Sequence, residues 1–239
     1  MDWSRLFSEK RLTHFANTRR SPSDVAEHRT EVERDFDRIL FSTPVRRLAD
    51  KTQVFPSESA DSVRTRLTHS YEASNIARSI GNLLVRTPKW LPDPTLQELV
   101  FPRLPTLLAS AALAHDLGNP PFGHQGESAI QHWFQTNEAV FDKSVQGFAA
   151  EFEAFDGNPQ TLRLVASLQG LPDQFGLNLT CATIGALLKY TVPASQVAKK
   201  KEEKTCANKK VGFFETERET LERVFGELGI AFGQRHPLA

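Results

Sequence analysis

Two histidines and an aspartate have the residue types and spacing of a metal site. His115 and Asp116 are adjacent at the end of an apolar segment, and His69 lies in an earlier helical segment. Neighbouring residues on a helix project about 100° apart, so both can reach one ion only where the helix frays. Gly118 supplies that end. The pattern therefore predicts that His69, His115 and Asp116 converge on one point.

Each of these residues also has an ordinary explanation, because buried histidines are commonly hydrogen-bonded and aspartates commonly pair with arginine. An aspartate at a helix C-terminus is opposed by the helix dipole, however, and favours a nearby cation. Nitrogen and oxygen donors suit Mn²⁺, Fe²⁺, Mg²⁺, Co²⁺ or Zn²⁺. The same set also fits a non-haem iron oxygenase, an alternative that leaves the basic residues nearby without a role.

A second pair, His124 and Glu127, is spaced by one helical turn where a new helix starts. An imidazole oriented by a carboxylate is suited to general acid–base work near neutral pH. The structural alternative is a helix cap with a surface histidine. Arg66 precedes His69 by one turn, and a guanidinium beside a metal fits phosphate oxygens.

Helical spacing recurs along the chain and strand-like alternation is scarce, so we predict an all-α helical bundle. The segment from Ser62 to Arg86 carries an apolar stripe that we expect to face inward together with His69. Thr106 to Asp116 is apolar almost all round and is expected at the centre of the bundle. Further helices are predicted near Glu31 to Phe41, from Gly126 and over Ala182 to Tyr190. The members of the stripe are His69, Ala73, Ile76, Ile80 and Leu83.

The composition is that of a globular protein. The chain has 239 residues, with 29 Lys and Arg against 29 Asp and Glu, so its overall field does not attract nucleic acid. No segment is predicted to span a membrane or to act as a signal peptide, and the two cysteines fit a cytoplasmic protein. We expect an N-terminal arm over residues 1–30 and one helical domain over residues 31–239.

Longer motifs extend this constellation. Residues 115–127 read HDLGNPPFGHQGE, and two earlier blocks read RRLADKTQVFP over 46–56 and RTRLTHS over 64–70. Later blocks are FDGNPQ over 155–160 and LKY over 188–190. In this order the motifs resemble those of the HD-domain deoxynucleoside triphosphate triphosphohydrolases, the dGTPase family, over roughly residues 30–239.

The resemblance implies metal-dependent hydrolysis of a deoxynucleoside triphosphate (dNTP) to the deoxynucleoside and inorganic triphosphate. His69, His115 and Asp116 match metal ligands, and His124 with Glu127 matches the proton-transfer pair. The residues that match substrate contacts are Gln53, Arg66 and Lys210. The implied partners are the dNTP, further copies of the chain and, as regulators, an effector nucleotide or single-stranded DNA.

Two departures from the family pattern matter. Asp156 stands where the family often has glutamate. The resemblance also implies a further aspartate ligand in the segment that follows residues 235–239 in the family. We therefore expect weak or absent turnover by these residues alone, and apolar surface on some helices. The alternative to an enzyme is a non-catalytic HD scaffold or a nucleotide-binding regulatory subunit.

Overall fold

The fold is all-α, as predicted. A computed structural model describes residues 2–15, 28–55, 60, 62–137, 151–168, 175–198 and 201–239. Within these ranges the extended pairing consists of isolated β-bridges, such as that between Thr52 and Thr65. The α-helices are α1 (Trp3–Leu6), α2 (Leu12–Phe15), α3 (Glu31–Leu40), α4 (Thr43–Arg47), α5 (Arg66–Arg86), α6 (Pro94–Val100), α7 (Leu104–Ala114), α8 (His124–Thr136), α9 (Gly157–Ala166), α10 (Cys181–Leu187) and α11 (Arg218–Leu228).

Helix α7 lies at the centre, as its nearly continuous apolar sequence predicts. Leu104, Leu107 and Leu113 are fully buried. Leu113 belongs to the larger apolar core, to which α3, α9, α10 and α11 contribute, and Leu107 belongs to a second core shared with α1 and α6. Since α7 touches both cores, its C-terminal end is held firmly where His115 and Asp116 follow.

Local sequence signals explain where α3 begins. Thr30 caps the helix, and its hydroxyl accepts a hydrogen bond from the backbone N–H of Glu33. The Glu33 carboxylate in turn accepts from the backbone N–H of Thr30 at 2.7 Å. This reciprocal capping box satisfies two donors that a helix start otherwise leaves unpaired. The observed helix, Glu31–Leu40, agrees closely with the predicted one.

The inward-facing apolar stripe predicted for α5 is wrong. Ile76, Ile80 and Leu83 are 59%, 51% and 63% exposed. The face that packs against α7 is instead made of small residues, including Ser74 and Gly81. Small side chains allow the two helices to approach closely: a Cβ on Gly81 would lie 2.6 Å from the Pro105 Cα, and the Ser74 hydroxyl donates to the Ala109 carbonyl at 2.9 Å.

The described part of the N-terminal arm packs against the helices. Leu6, Phe7 and Leu12 are buried, and the Arg11 guanidinium forms a 2.6 Å ion pair with the buried Asp35 on α3. The backbone N–H of Cys181 donates to the Lys10 carbonyl at 2.8 Å. The division between an arm and a domain at residue 30 stays a prediction. Across the described helices, none is both long and apolar enough to cross a lipid bilayer.

Candidate metal centre

The three predicted metal ligands converge. Ligand atoms of His69, His115 and Asp116 all lie within 4.8 Å of one another. The two imidazole rings meet edge to face, with centroids 5.3 Å apart and planes at 69°. Asp116 is buried, whereas His69 and His115 are partly exposed. The carboxylate of the cluster is therefore shielded from solvent, whereas its imidazoles are accessible to solvent.

The packing of α5 on α7 brings these residues together. His69 lies in the first turn of α5, while His115 and Asp116 form the turn that follows α7. The last helical residue is Ala114, so the pair leaves the helix at its frayed end, as the adjacency argument requires. The contact between α5 and α7 therefore fixes the distance between the first histidine and the other two ligands.

The hydrogen bond of His115 determines which ring nitrogen is available for a metal. Its Nδ1 lies 2.6 Å from the Ala112 carbonyl oxygen. A carbonyl only accepts, so Nδ1 must carry the proton and the lone pair resides on Nε2. Metal-binding histidines commonly use the second nitrogen in this way. The Nε2 atom lies 3.3 Å from the Asp116 Oδ1, so the available nitrogen faces the predicted carboxylate ligand.

Both oxygens of Asp116 are already oriented by donors. The Asn119 Nδ2 donates to Oδ1 at 2.6 Å, and the Arg66 guanidinium donates to Oδ2 at 2.8 Å. Arg66 is itself buried and packs against Gly123, where φ is +55° and any side chain would collide with the guanidinium. The predicted phosphate contact Arg66 thus also holds a predicted metal ligand.

The two imidazoles and one carboxylate fit a divalent cation. Two neutral nitrogens and one anionic oxygen are the donors that Mn²⁺, Fe²⁺, Co²⁺ or Zn²⁺ accept, and Mg²⁺ shares the carboxylate preference. Three protein ligands leave coordination positions for water or a substrate oxygen. The donor set and the free Nε2 of His115 therefore support the prediction of a metal centre without selecting the metal.

His124 and Glu127 form the predicted pair at the start of α8. The His124 Nδ1 lies 2.6 Å from the Glu127 Oε2. The Glu127 side chain is 7% exposed and that of His124 is 83% exposed. The other Glu127 oxygen accepts from the Gly157 backbone N–H at 2.9 Å, at the first residue of α9. A buried carboxylate thus anchors an imidazole whose Nε2 faces outward.

Two of the predicted substrate contacts carry unpaired buried atoms. Within the described residues, the Gln53 Oε1 and the Arg66 Nε are buried and have no hydrogen-bond partner. The segments that carry them are neighbours, because the Arg66 backbone N–H donates to the Lys51 carbonyl at 2.9 Å. Buried polar atoms without partners are costly and are commonly satisfied by a ligand or water.

The third predicted contact, Lys210, is held by Asp156. Its Nζ lies 2.6 Å from the Asp156 Oδ2. Burial disfavours the charged ammonium, but the hydrogen bond and the charge of Asp156 outweigh burial and raise the Lys210 pKa. Asp156 also caps α9 by accepting from the Asn158 N–H at 3.0 Å. Asp156, the first expected departure from the family pattern, therefore holds Lys210 through its carboxylate.

The sequence reasoning missed two residues of the site. Asn119 holds Asp116 directly, and its spacing of three residues from the aspartate is the same signal that identified His124 and Glu127. Lys51 donates from its ammonium to the Asn119 carbonyl at 2.7 Å. Burial, with the nearby Arg66 and Arg47 charges, lowers the Lys51 pKa. No local spacing indicates that contact, because it joins residues 68 positions apart.

Comparison with known proteins agrees with this geometry. The family model described as "HD domain" matches residues 66–181, which include α5, α7, α8 and α9 and all three predicted metal ligands. The helices that build the candidate metal centre therefore lie within the segment that is similar to an HD domain.

Homologues extend along the whole chain. A protein named "Deoxyguanosinetriphosphate triphosphohydrolase-like protein" from Listeria innocua is 42% identical over 250 residues, covering 100% of this chain and 51% of the relative. One of the same name from Synechocystis is 38% identical and covers 100% of this chain and 55% of the relative. The "Deoxyguanosinetriphosphate triphosphohydrolase" of Klebsiella pneumoniae is 36% identical and covers 92% of this chain and 48% of the relative. The chain is therefore similar to these proteins and spans about half the length of the curated relatives it matches.

Proposed function

We propose that the centre binds a divalent metal ion and hydrolyses a dNTP, with dGTP as the first substrate to test, to the deoxynucleoside and inorganic triphosphate. The observation that carries this proposal is the convergence of His69, His115 and Asp116 beside a His124–Glu127 pair. The HD-domain match and the names of the relatives support phosphate ester chemistry over the oxygenase alternative.

The reaction needs one bond to form and one to break. A water oxygen attacks the α-phosphorus, the bond from phosphorus to the sugar 5′ oxygen breaks, and that oxygen takes up a proton. A divalent ion held by His69, His115 and Asp116 would polarise the α-phosphate and lower the pKa of water. The leaving group is then the deoxynucleoside, and the triphosphate departs intact.

The chain's own residues supply the remaining functions. His124 exchanges the proton at its outward Nε2, while the Glu127 carboxylate fixes Nδ1–H and so the tautomer. Arg66 and Lys210 contact phosphate oxygens, and cationic donors beside a developing charge stabilise it. Gln53 reads the sugar 3′ hydroxyl, which would give its buried Oε1 the donor that it lacks.

The test is incubation of the purified chain with Mn²⁺ and dGTP, followed by separation of inorganic triphosphate and deoxyguanosine. We expect both products in equal amounts, and their loss in His115→Ala. The matched control is His132→Ala. His132 is exposed on α8 and belongs neither to the predicted metal ligands nor to the His124–Glu127 pair. Products that persist unchanged in His115→Ala would contradict the proposal, as would phosphate released singly.

The alternative, a non-catalytic HD scaffold or nucleotide-binding regulatory subunit, is distinguished in the same experiment. It predicts that Mn²⁺ and dGTP bind, and that binding weakens in His115→Ala, while no triphosphate appears. The expectation of weak or absent turnover is tested by the rate of triphosphate release relative to His115→Ala. Replacing dGTP by the other dNTPs, and adding single-stranded DNA or a second nucleotide, tests substrate preference and regulation. Sedimentation velocity of the purified chain tests the expected homo-oligomer.

A further inference from the structure

Asn119 connects the metal carboxylate to a different helix. Its side-chain Nδ2 donates to the Asp116 Oδ1 at 2.6 Å, and its backbone N–H donates to the Asp116 carbonyl at 3.2 Å. The amide is therefore tied at both its backbone and its side chain to the residue that would bind the ion. The same amide also lies against the first residue of α9, Gly157.

The Asn119 amide lies in the space that a side chain on Gly157, the first residue of α9, would occupy. We call Gly157 the seat of this amide. A Cβ built on Gly157 would overlap the Asn119 Oδ1 and lie 3.1 Å from its Cγ. The backbone of Gly157 is not in the positive-φ region, so its conformation does not demand glycine. What glycine provides here is the space that the asparagine side chain occupies.

The first turn of α9 is a rigid seat because several groups fix it. The Gly118 N–H donates to the Thr161 hydroxyl, which donates to the Gly157 carbonyl, both at 2.9 Å. The Gly157 N–H donates to Glu127, the partner of His124. The metal loop and the proton-transfer pair are thus located against the same helical turn.

We infer that Asn119 is a positioning residue that sets the direction of the Asp116 carboxylate toward the metal ion, and that Gly157 is required because it seats the Asn119 side chain. This inference rests on the proposed function, since it assumes that the centre binds a metal. Neither residue is one of the three predicted metal ligands. Loss of a partner that orients a metal ligand typically weakens metal affinity by about 10- to 100-fold.

The test is Mn²⁺ affinity, measured by isothermal titration calorimetry without substrate. Asn119→Ala is expected to weaken binding by about 10- to 100-fold. Gly157→Ala is expected to weaken it as well, because the new methyl group displaces the amide. In the double variant the amide is already gone and the remaining close approach is 3.2 Å to the Asn119 Cα, so the second substitution is expected to add less than it costs alone. This non-additivity separates a seat from two independent structural defects.

Two controls and a fallback complete the experiment. Asn137→Ala removes an amide whose bonds stay within the end of α8, and Gly226→Ala adds a methyl group where nothing lies within 4 Å; neither is expected to change Mn²⁺ affinity. Circular dichroism checks that each variant is folded. If Asn119→Ala does not fold, Asn119→Ser replaces it, because a serine side chain is too short to reach the Asp116 Oδ1.

The outcomes are distinguishable. Wild-type affinity in a folded Asn119 variant overturns the inference but leaves the metal centre standing. Additive losses in the double variant overturn the role of Gly157 as a seat. Absence of Mn²⁺ binding by the wild-type chain overturns the proposed function, and the inference with it.

Discussion

Three of the side chains proposed to do chemistry are held by neighbours with a different task. The Ala112 carbonyl fixes the His115 tautomer, Glu127 fixes that of His124, and Asn119 holds Asp116. Such partners orient ligands and bases before the substrate arrives, which lowers the reorganisation that the reaction requires.

The buried Glu127 carboxylate gives a direct prediction for the proton-transfer pair. Glu127→Ala is expected to reduce turnover by about 100-fold or more, the usual range for general acid–base assistance, because His124 loses the partner that fixes its tautomer. Mn²⁺ affinity is expected to change little. Triphosphate release and calorimetry on the same preparations check both parts.

The exposed Glu222 on α11 provides the control for that experiment. Glu222→Ala is expected to leave turnover at the wild-type level. Equal turnover in the Glu127 and Glu222 variants would show that His124 acts without its carboxylate, or does not act at all.

His236 provides a pH prediction because it is buried in its neutral form. Burial lowers its pKa below the ordinary 6.5, although the hydrogen bond to the Leu6 carbonyl opposes the change. Its Nε2 donates to Leu6 and its Nδ1 accepts from the Leu238 N–H, so a second proton would displace that donor. Below pH 6.5 the unfolded chain binds the extra proton more readily than the folded one. The free energy of unfolding therefore falls as the pH falls.

Urea unfolding at pH 7.5 and pH 5.5 measures this effect. In His236→Gln the amide can still donate to Leu6 but does not titrate, so the loss of stability on acidification is expected to be smaller than in the wild type. His132→Gln, an exposed change, is expected to keep the wild-type dependence. An identical pH dependence in all three proteins would show that His236 does not titrate differently on folding.

The sequence was sufficient to predict that His115 and Asp116, and likewise His124 and Glu127, lie close together, because both patterns are local. His115 and Asp116 are adjacent, and His124 and Glu127 are one turn apart. The Lys210–Asp156 bond joins residues 54 positions apart, and no spacing rule connects them. Resemblance supplied Lys210 as a substrate contact, but its partner appeared only once the helices were packed.

At the scale of elements, α3 and α7 followed their sequence signals and α5 did not. A capping box and a continuous apolar run leave little choice for α3 and α7. On α5 the apolar stripe is the stronger periodic signal, yet the helix packs through small residues that let the α7 backbone approach. Helices pack closely where their side chains are small, and small residues leave no signal in the periodicity of hydrophobic residues.

Two glycines test this account of α5. Gly81→Ala would gain up to about 1 kcal/mol of helix propensity, but its methyl group meets the Pro105 backbone, and overpacking costs about 1–3 kcal/mol. We expect a net loss of about 1 kcal/mol in the free energy of unfolding. Gly226→Ala on α11, where the space is open, is expected to gain about 0.5–1 kcal/mol.

Urea denaturation of the two variants beside the wild type gives both signs. The same substitution is made inside a helix at each site, so the gain in helix propensity is common to both. The opposite signs that we expect therefore report the difference in packing. A gain of stability in Gly81→Ala would mean that α5 and α7 are not in close contact at Pro105.

At the scale of the molecule, the exposed stripe of Ile76, Ile80 and Leu83 leads from the region of His69 along α5. Replacing all three by glutamine is expected to change the free energy of unfolding by no more than about 0.5 kcal/mol per site, the usual range for surface positions. The same change is expected to reduce fluorescence of the dye ANS, which reports exposed apolar surface. Leu113→Ala, in the buried core, is expected to cost about 2–5 kcal/mol and provides the contrast.

A loss of several kcal/mol in the triple glutamine variant would show that the stripe is covered in the isolated chain. Unchanged dye fluorescence would show that other surface binds the dye.

Hydrogen bonds and an ion pair join the first described segment to the last one. Leu6 accepts from His236, Ser8 donates to Glu227 at 2.8 Å, and Lys10 pairs with Glu227 at 2.7 Å. During synthesis the residues of the first described segment therefore wait for partners made more than two hundred codons later. The Leu6 carbonyl, on a residue that is buried in the folded protein, therefore has no His236 donor until that segment has been made, and a nascent chain halted before it would expose that unpaired oxygen.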